Sequence, residues 1–143
     1  LKFMTRKEFL SLLGIGGASL VVSACIGGCS KTETTPAPSG IDLNLDLNAA
    51  TYSSLKTKGN FVNLPEGVVV AYGLDGNYYA VQVSCPHGEG GRIQYNQSLQ
   101  KFRCDNHTEQ NFTTSGISNN ARTSSNLKTY VCTLNGNTLN VKG

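Results

Sequence analysis

The chain has 143 residues, which is enough for one domain and hardly for two. Its formal net charge of +3 falls further when residues 1–24 are left out, because nine basic and eight acidic residues then remain. No segment is rich in lysine and arginine, so the composition excludes the electrostatic footprint of a nucleic-acid-binding protein.

Residues 1–24 are typical of an export signal. Arg6 and Lys7 provide a positive start, and residues 9–22 form an apolar run that is too short to span a membrane comfortably. The run leads into Val-Ser-Ala-Cys, residues 22–25, which resembles the lipobox of bacterial lipoproteins. That resemblance implies that Cys25 is the lipidated first residue of the mature protein, with Cys29 as the alternative. A plain signal peptide or an uncleaved anchor is the competing interpretation.

The export route and the start of the domain can also be predicted. Residues 5–10, Thr-Arg-Lys-Glu-Phe-Leu, resemble a twin-arginine signal with lysine in the second arginine position, and that route carries folded, cofactor-loaded proteins. Residues 30–40 are small, polar and proline-containing, so they cannot bury enough surface to fold. We therefore predict a signal peptide over 1–24, a lipidated cysteine with a flexible tether over 25–40, and one domain over 41–143.

The predicted domain contains short strands and no convincing helical pattern. Its first segment alternates four apolar with four polar residues, the period of a half-buried strand. Asp75-Gly76 and Asn135-Gly136 each separate two apolar runs and predict two hairpins. The predicted strands are 41–48, 68–72, 78–84, 92–95, 100–103, 110–113, 127–134 and 137–141. Turn signals at such short intervals favour an all-β fold, a small antiparallel sandwich or barrel.

Both histidines of the chain lie close to a cysteine. They form the pairs Cys85-Pro86-His87 and Cys104-x-x-His107, with sixteen residues between the pairs. A predicted hairpin joins the two pairs, so we expect both loops at the same end of a sheet. A structural Cys2His2 zinc site is one interpretation. The Cys-x-His spacing is tight for one tetrahedral ion, however, and better suits a loop whose ligands reach two metal atoms; a mononuclear redox metal is the third interpretation.

This pattern, C-x-H followed by C-x-x-H, resembles the Rieske [2Fe–2S] motif. The resemblance extends over residues 41–143 and implies the small antiparallel β fold of that family, with a two-loop cluster-binding subdomain. It implies one [2Fe–2S] cluster per chain, with Cys85 and Cys104 on one iron and His87 and His107 on the other. Neutral imidazoles make the cluster easier to reduce, so Rieske potentials lie at about −150 to +300 mV, against about −400 mV for plant-type clusters.

The sequence departs from one branch of that family. Cytochrome bc-type relatives carry an additional cysteine in each loop, and the two form a disulfide; here Gly90 and Asn106 take those positions. Those relatives also have hydroxyl donors after the second histidine, where this sequence has Thr108, Glu109 and, further on, Phe112. Fewer donors and the Glu109 carboxylate both disfavour added electron density, so we predict a potential in the lower half of the family range.

The resemblance implies one-electron transfer by a membrane-tethered subunit or carrier of a cell-envelope oxidoreductase system, on the periplasmic side of a bacterial membrane. We expect redox proteins as partners, a membrane contact through the N-terminal lipid, no nucleic acid and no small-molecule substrate of its own. The sequence has no recognisable catalytic site, so an enzymatic role would need a partner subunit. The alternative is a lipoprotein binding module with structural zinc on the same four residues. Cys132 is predicted to be a buried free cysteine.

Overall fold

The computed structural model describes residues 35–143, so the predicted signal peptide, Cys25 and Cys29 lie outside the described residues. Among the residues described, nine strands form, and one four-residue 3₁₀ turn, Ser53–Lys56, is the helical element. All strand pairings are antiparallel. The strands are β1 Asp42–Asp46, β2 Phe61–Asn63, β3 Val68–Tyr72, β4 Tyr78–Gln82, β5 Ile93–Asn96, β6 Lys101–Cys104, β7 Asn111–Phe112, β8 Thr129–Asn135 and β9 Thr138–Lys142. The all-β prediction is confirmed.

The strands form a six-stranded sheet in the order β1-β9-β8-β4-β3-β2 and a three-stranded sheet in the order β5-β6-β7. Strand β3 explains how the two are joined, because Val68 to Ala71 are all fully buried. Successive side chains of a strand point to opposite faces. Val68 and Val70 accordingly pack into a first core within the large sheet, whereas Val69 and Ala71 pack into a second core beneath the small sheet.

The second core supports the small sheet from below. Strands β5 and β6 form a hairpin in which Tyr95 lies opposite Phe102, and their rings pack edge to face with centroids 5.4 Å apart. Ile93 pairs with Cys104 at the open end of that hairpin, and all four residues are buried. The apolar packing of the second core, to which Cys104 belongs, therefore holds this cysteine in place.

Two features differ from the sequence-based expectations. Strand β2 was not predicted, because three residues are too few to show a period; it forms by pairing with β3. Cys132 is half-buried and packs against the first core, so the prediction of full burial was too strong. Burial nevertheless raises the pKa of its thiol to about 12, so it stays protonated at neutral pH.

Residues 35–40 have no regular structure but contact the domain. The Ser84 hydroxyl donates to the Thr35 carbonyl at 2.9 Å. The Lys128 ammonium and the Tyr130 hydroxyl donate to the Pro38 carbonyl at 2.8 and 2.7 Å. Between residues 35 and 143 there is no helix with the length and apolar character that crossing a bilayer requires.

Candidate metal centre

Two loops at one end of the small sheet carry the cysteine and histidine pairs. The first ligand loop, residues 85–91, is closed at its base by the Cys85 N–H, which donates to the Gly91 carbonyl at 2.9 Å. The second ligand loop, residues 104–110, is closed by the Cys104 N–H, which donates to the Gln110 carbonyl at 3.1 Å. Because β5 starts where the first loop ends and β6 ends where the second begins, their pairing brings the loops together.

The bases of the two loops are also hydrogen-bonded to each other. The Arg92 N–H donates to the Asp105 carboxylate at 2.7 Å, and the Asp105 N–H donates to the Arg92 carbonyl at 2.9 Å. One backbone and one side-chain bond thus fix the spacing of the loops.

The structure brings the four predicted ligands together. One ligand atom each from Cys85, His87 and Cys104 lies within 4.8 Å of the others, and the Cys104 Sγ is 3.9 Å from His87 Nδ1. His107 joins this group through His87, with the two rings perpendicular and their centroids 4.4 Å apart. Both cysteines are buried, the His87 side chain is 2% exposed and the His107 side chain 16%. The thiols therefore lie innermost and His107 is nearest the surface.

The unsatisfied chemistry of these four side chains fits a bound metal group. His107 Nδ1 is buried without a hydrogen-bond partner, His87 Nδ1 faces the Cys104 thiol, and Cys85 and Cys104 are free thiols. Burial raises the pKa of the Cys85 thiol, whereas burial and the neighbouring His107 lower the pKa of His87. Buried polar groups left without partners are costly. Thiolates and neutral imidazoles bound to iron would remove that cost.

Gly91 shapes the space between the loops. A Cβ atom built on Gly91 would lie 2.8 Å from His87 Cε1 and would overlap Cys104 Sγ more severely. Real Cβ contacts essentially never come that close. Only glycine therefore leaves the ligand atoms in this arrangement.

Glu89 is a neighbour of the ligands that the sequence analysis missed. Its carboxylate lies 3.1 Å from His107 Nε2 and 3.7 Å from His87 Nε2. From the sequence we had considered Glu109 instead. Glu109 forms an ion pair with Arg122 at 2.6 Å and so has a counter-ion of its own. The available signal was the position of Glu89, two residues after His87 in the same loop.

Gln110 is the second residue that the sequence analysis missed. Its side chain is fully buried; the amide oxygen accepts from the N–H groups of Arg122 and Thr123 at 2.6 and 3.1 Å. The amide nitrogen donates to the Ser118 hydroxyl at 2.9 Å. Gln110 therefore holds the segment 118–123 against the second ligand loop.

The two positions that correspond to the disulfide of bc-type proteins are joined only weakly. Asn106 Nδ2 donates to the Glu89 carbonyl, next to Gly90, at the long distance of 3.4 Å. The cysteines at positions 85, 104 and 132, which are those in residues 35–143, are all free.

Neither the protein-family models nor the curated proteins give a match to the chain. Among solved structures, the plasma membrane Rieske protein PetC3 from the cyanobacterium Synechocystis PCC 6803 is 31% identical, with 65% of this chain and 95% of that chain covered at a TM-score of 0.52.

A second solved structure shares the fold alone. The ferredoxin of carbazole 1,9a-dioxygenase from Nocardioides aromaticivorans IC177 is 16% identical, with 62% of this chain and 91% of that chain covered at a TM-score of 0.51. The first likeness is strong enough to carry more than fold. Together with Cys85, His87, Cys104 and His107 placed as candidate ligands of an iron–sulfur cluster, it shows that this chain belongs to the Rieske protein family.

Proposed function

We propose that this chain transfers single electrons through one [2Fe–2S] cluster, with Cys85 and Cys104 on one iron and His87 and His107 on the other. The observation that carries the proposal is the convergence of two buried thiols and two imidazoles at one end of the small sheet. A cluster with this mixed ligand set takes up one electron at a higher potential than an all-cysteine cluster. The protein itself would hold the four ligands in place and shield them from water.

The protein's own contribution is an asymmetric enclosure. The cysteines lie against the apolar second core with Ile93 and Phe102, which excludes water from the sulfur side. The histidines lie on the outer side, and the greater exposure of the His107 ring supports it as the route by which electrons enter and leave. The His87 side chain, in contrast, is nearly inaccessible.

We further propose that the protein is exported and anchored by a lipid on Cys25, as a subunit or carrier of a cell-envelope oxidoreductase system. The charged start, the short apolar run and the lipobox-like residues 22–25 support this assignment. The plasma membrane location named for the cyanobacterial relative also supports it. Other redox proteins would then supply and accept the electron. Replacing Cys25 with alanine should release the protein from the membrane fraction; unchanged retention would contradict the lipid anchor.

The cluster is tested by composition and spectroscopy. We expect two iron and two acid-labile sulfide per chain, and a mixed-ligand EPR signal after reduction with dithionite. Cys104→Ser should abolish both, whereas the matched control Cys132→Ser should leave them unchanged, because Cys132 packs against the other core. One zinc per chain with no sulfide would contradict the proposal and favour the structural zinc site.

A further inference from the structure

The outer edge of the ligand site carries a charge that neither the motif nor the resemblance assigns. Glu89 lies at the tip of the first ligand loop, and one carboxylate oxygen, Oε2, faces Nε2 of both histidines. The 3.1 Å separation from His107 is a direct polar contact without the angular geometry of a hydrogen bond, and the 3.7 Å separation from His87 is longer still. Glu89 thus contacts one imidazole and lies near the other.

In the described residues, Glu89 has no lysine or arginine within ion-pair distance, and the Arg122 guanidinium, which pairs with Glu109, acts on its charge only from farther away. In the described part of the chain, its ion-pair contacts are the two imidazoles alone. The other charged groups of the loops already have partners, since Glu109 pairs with Arg122 and the Asp105 carboxylate accepts from the Arg92 N–H. The Glu89 side chain is 60% exposed, so water screens its charge but does not remove it.

We propose that Glu89 lowers the reduction potential of the cluster through its negative charge, which lies beside the His107 ring. The inference rests on the proposed function. Reduction adds one electron and therefore one negative charge to the cluster, and a fixed carboxylate beyond the histidine edge makes that addition less favourable.

Glu89→Gln separates charge from shape. Glutamine has nearly the size of glutamate and keeps an acceptor oxygen, so the variant removes the charge and preserves the shape of the side chain. Glu89→Asp keeps the charge and shortens the side chain. Glu66→Gln is the matched control, because Glu66 is an exposed carboxylate in the turn before β3.

The experiment is a potentiometric titration of the cluster-loaded proteins, with iron and sulfide contents measured on the same samples. We expect Glu89→Gln to shift the one-electron equilibrium about tenfold toward the reduced form, a rise of about 59 mV. Glu89→Asp and Glu66→Gln should stay close to the wild-type potential. If Glu89→Gln loads no cluster while Glu89→Asp does, the carboxylate is needed for assembly, and this result counts against a role in setting the potential.

Two other results would overturn the inference. One is a fully loaded Glu89→Gln protein with an unchanged potential. The other is loss of the cluster from both Glu89 variants, which would make the residue a requirement of assembly and not a modulator. Both differ from failure of the proposed function, in which the wild-type protein itself contains no iron and sulfide.

Discussion

The two ligand loops hold a cysteine and a histidine each, but they reach their conformations in different ways. The first loop depends on three glycines: Gly88 and Gly90 have φ angles of 86° and 74°, and Gly91 has no room for a side chain. The second loop has no glycine and depends on side-chain amides, above all the buried Gln110. The first loop therefore depends on glycines that have no side chain, and the second depends on hydrogen bonds made by side-chain amides.

This difference predicts opposite sensitivities. Adding a methyl group should damage the first loop, because its backbone passes directly beside the ligand atoms. Removing hydrogen-bonding atoms should damage the second, because its buried Gln110 amide serves three groups of the segment 118–123.

The largest effect is expected from Gly91→Ala. The new Cβ would meet Cys104 Sγ and His87 Cε1, so we expect iron and sulfide contents to fall more than tenfold. The control is Gly90→Ala, whose Cβ would meet nothing within 4 Å and whose positive φ should cost about 1–2 kcal/mol of stability. That control should keep its cluster. Full loading of Gly91→Ala would show that the ligand atoms can move aside.

The second effect, Gln110→Leu, acts through stability. The leucine leaves the N–H groups of Arg122 and Thr123 without their acceptor, and we expect a loss of about 2–4 kcal/mol. Urea unfolding of the loaded protein measures it. Gln94→Leu, on the exposed face of β5, is the control and should change stability by less than about 0.5 kcal/mol. Equal losses in the two variants would remove the special role given to the second loop.

The smallest effect is expected from Asn106→Ala. Its bond to the Glu89 carbonyl is long and exposed, so losing it should cost less than about 0.5 kcal/mol in the same urea experiment. This variant tests the bridge between the loops, where bc-type relatives have a disulfide. A loss above about 1.5 kcal/mol would mean that the bridge contributes far more than its geometry indicates.

The reduction potential of the wild-type cluster tests the combined effect of the charges around the site. We predicted the lower half of the family range from Glu109 and the missing hydroxyl donors. Because Arg122 pairs with Glu109, the charge part of that expectation now depends on Glu89, while the argument from the missing hydroxyl donors stands as before. A wild-type midpoint above about +200 mV, close to the top of the range, would contradict it.

Local patterns made much of the fold predictable. Residues 41–48 alternate with the period of a strand, and the Asp-Gly and Asn-Gly pairs mark the turns of two hairpins. The strands that these patterns predicted formed within a few residues of the expected bounds. The four candidate ligands were recognisable because cysteine and histidine are rare here and closely spaced.

The missed features depend on contacts between distant segments. Gln110 is an ordinary polar residue in the sequence and becomes important only because residues 118–123 fold over it. Glu89 and Glu109 are indistinguishable as letters, and only the fold shows that one faces the histidines and the other faces Arg122. Strand β2 likewise exists because β3 offers it an edge.

The hydrogen bond from Ser84 to the Thr35 carbonyl has a consequence for how far the redox site could travel. It holds the incoming chain beside Ser84, the residue just before the first ligand loop. If Cys25 carries the anchor, the ten residues from there to Thr35 can extend over at most about 35 Å. Thr35 would then stay within that distance of the bilayer surface, so redox partners would have to reach the adjoining site from close to the membrane.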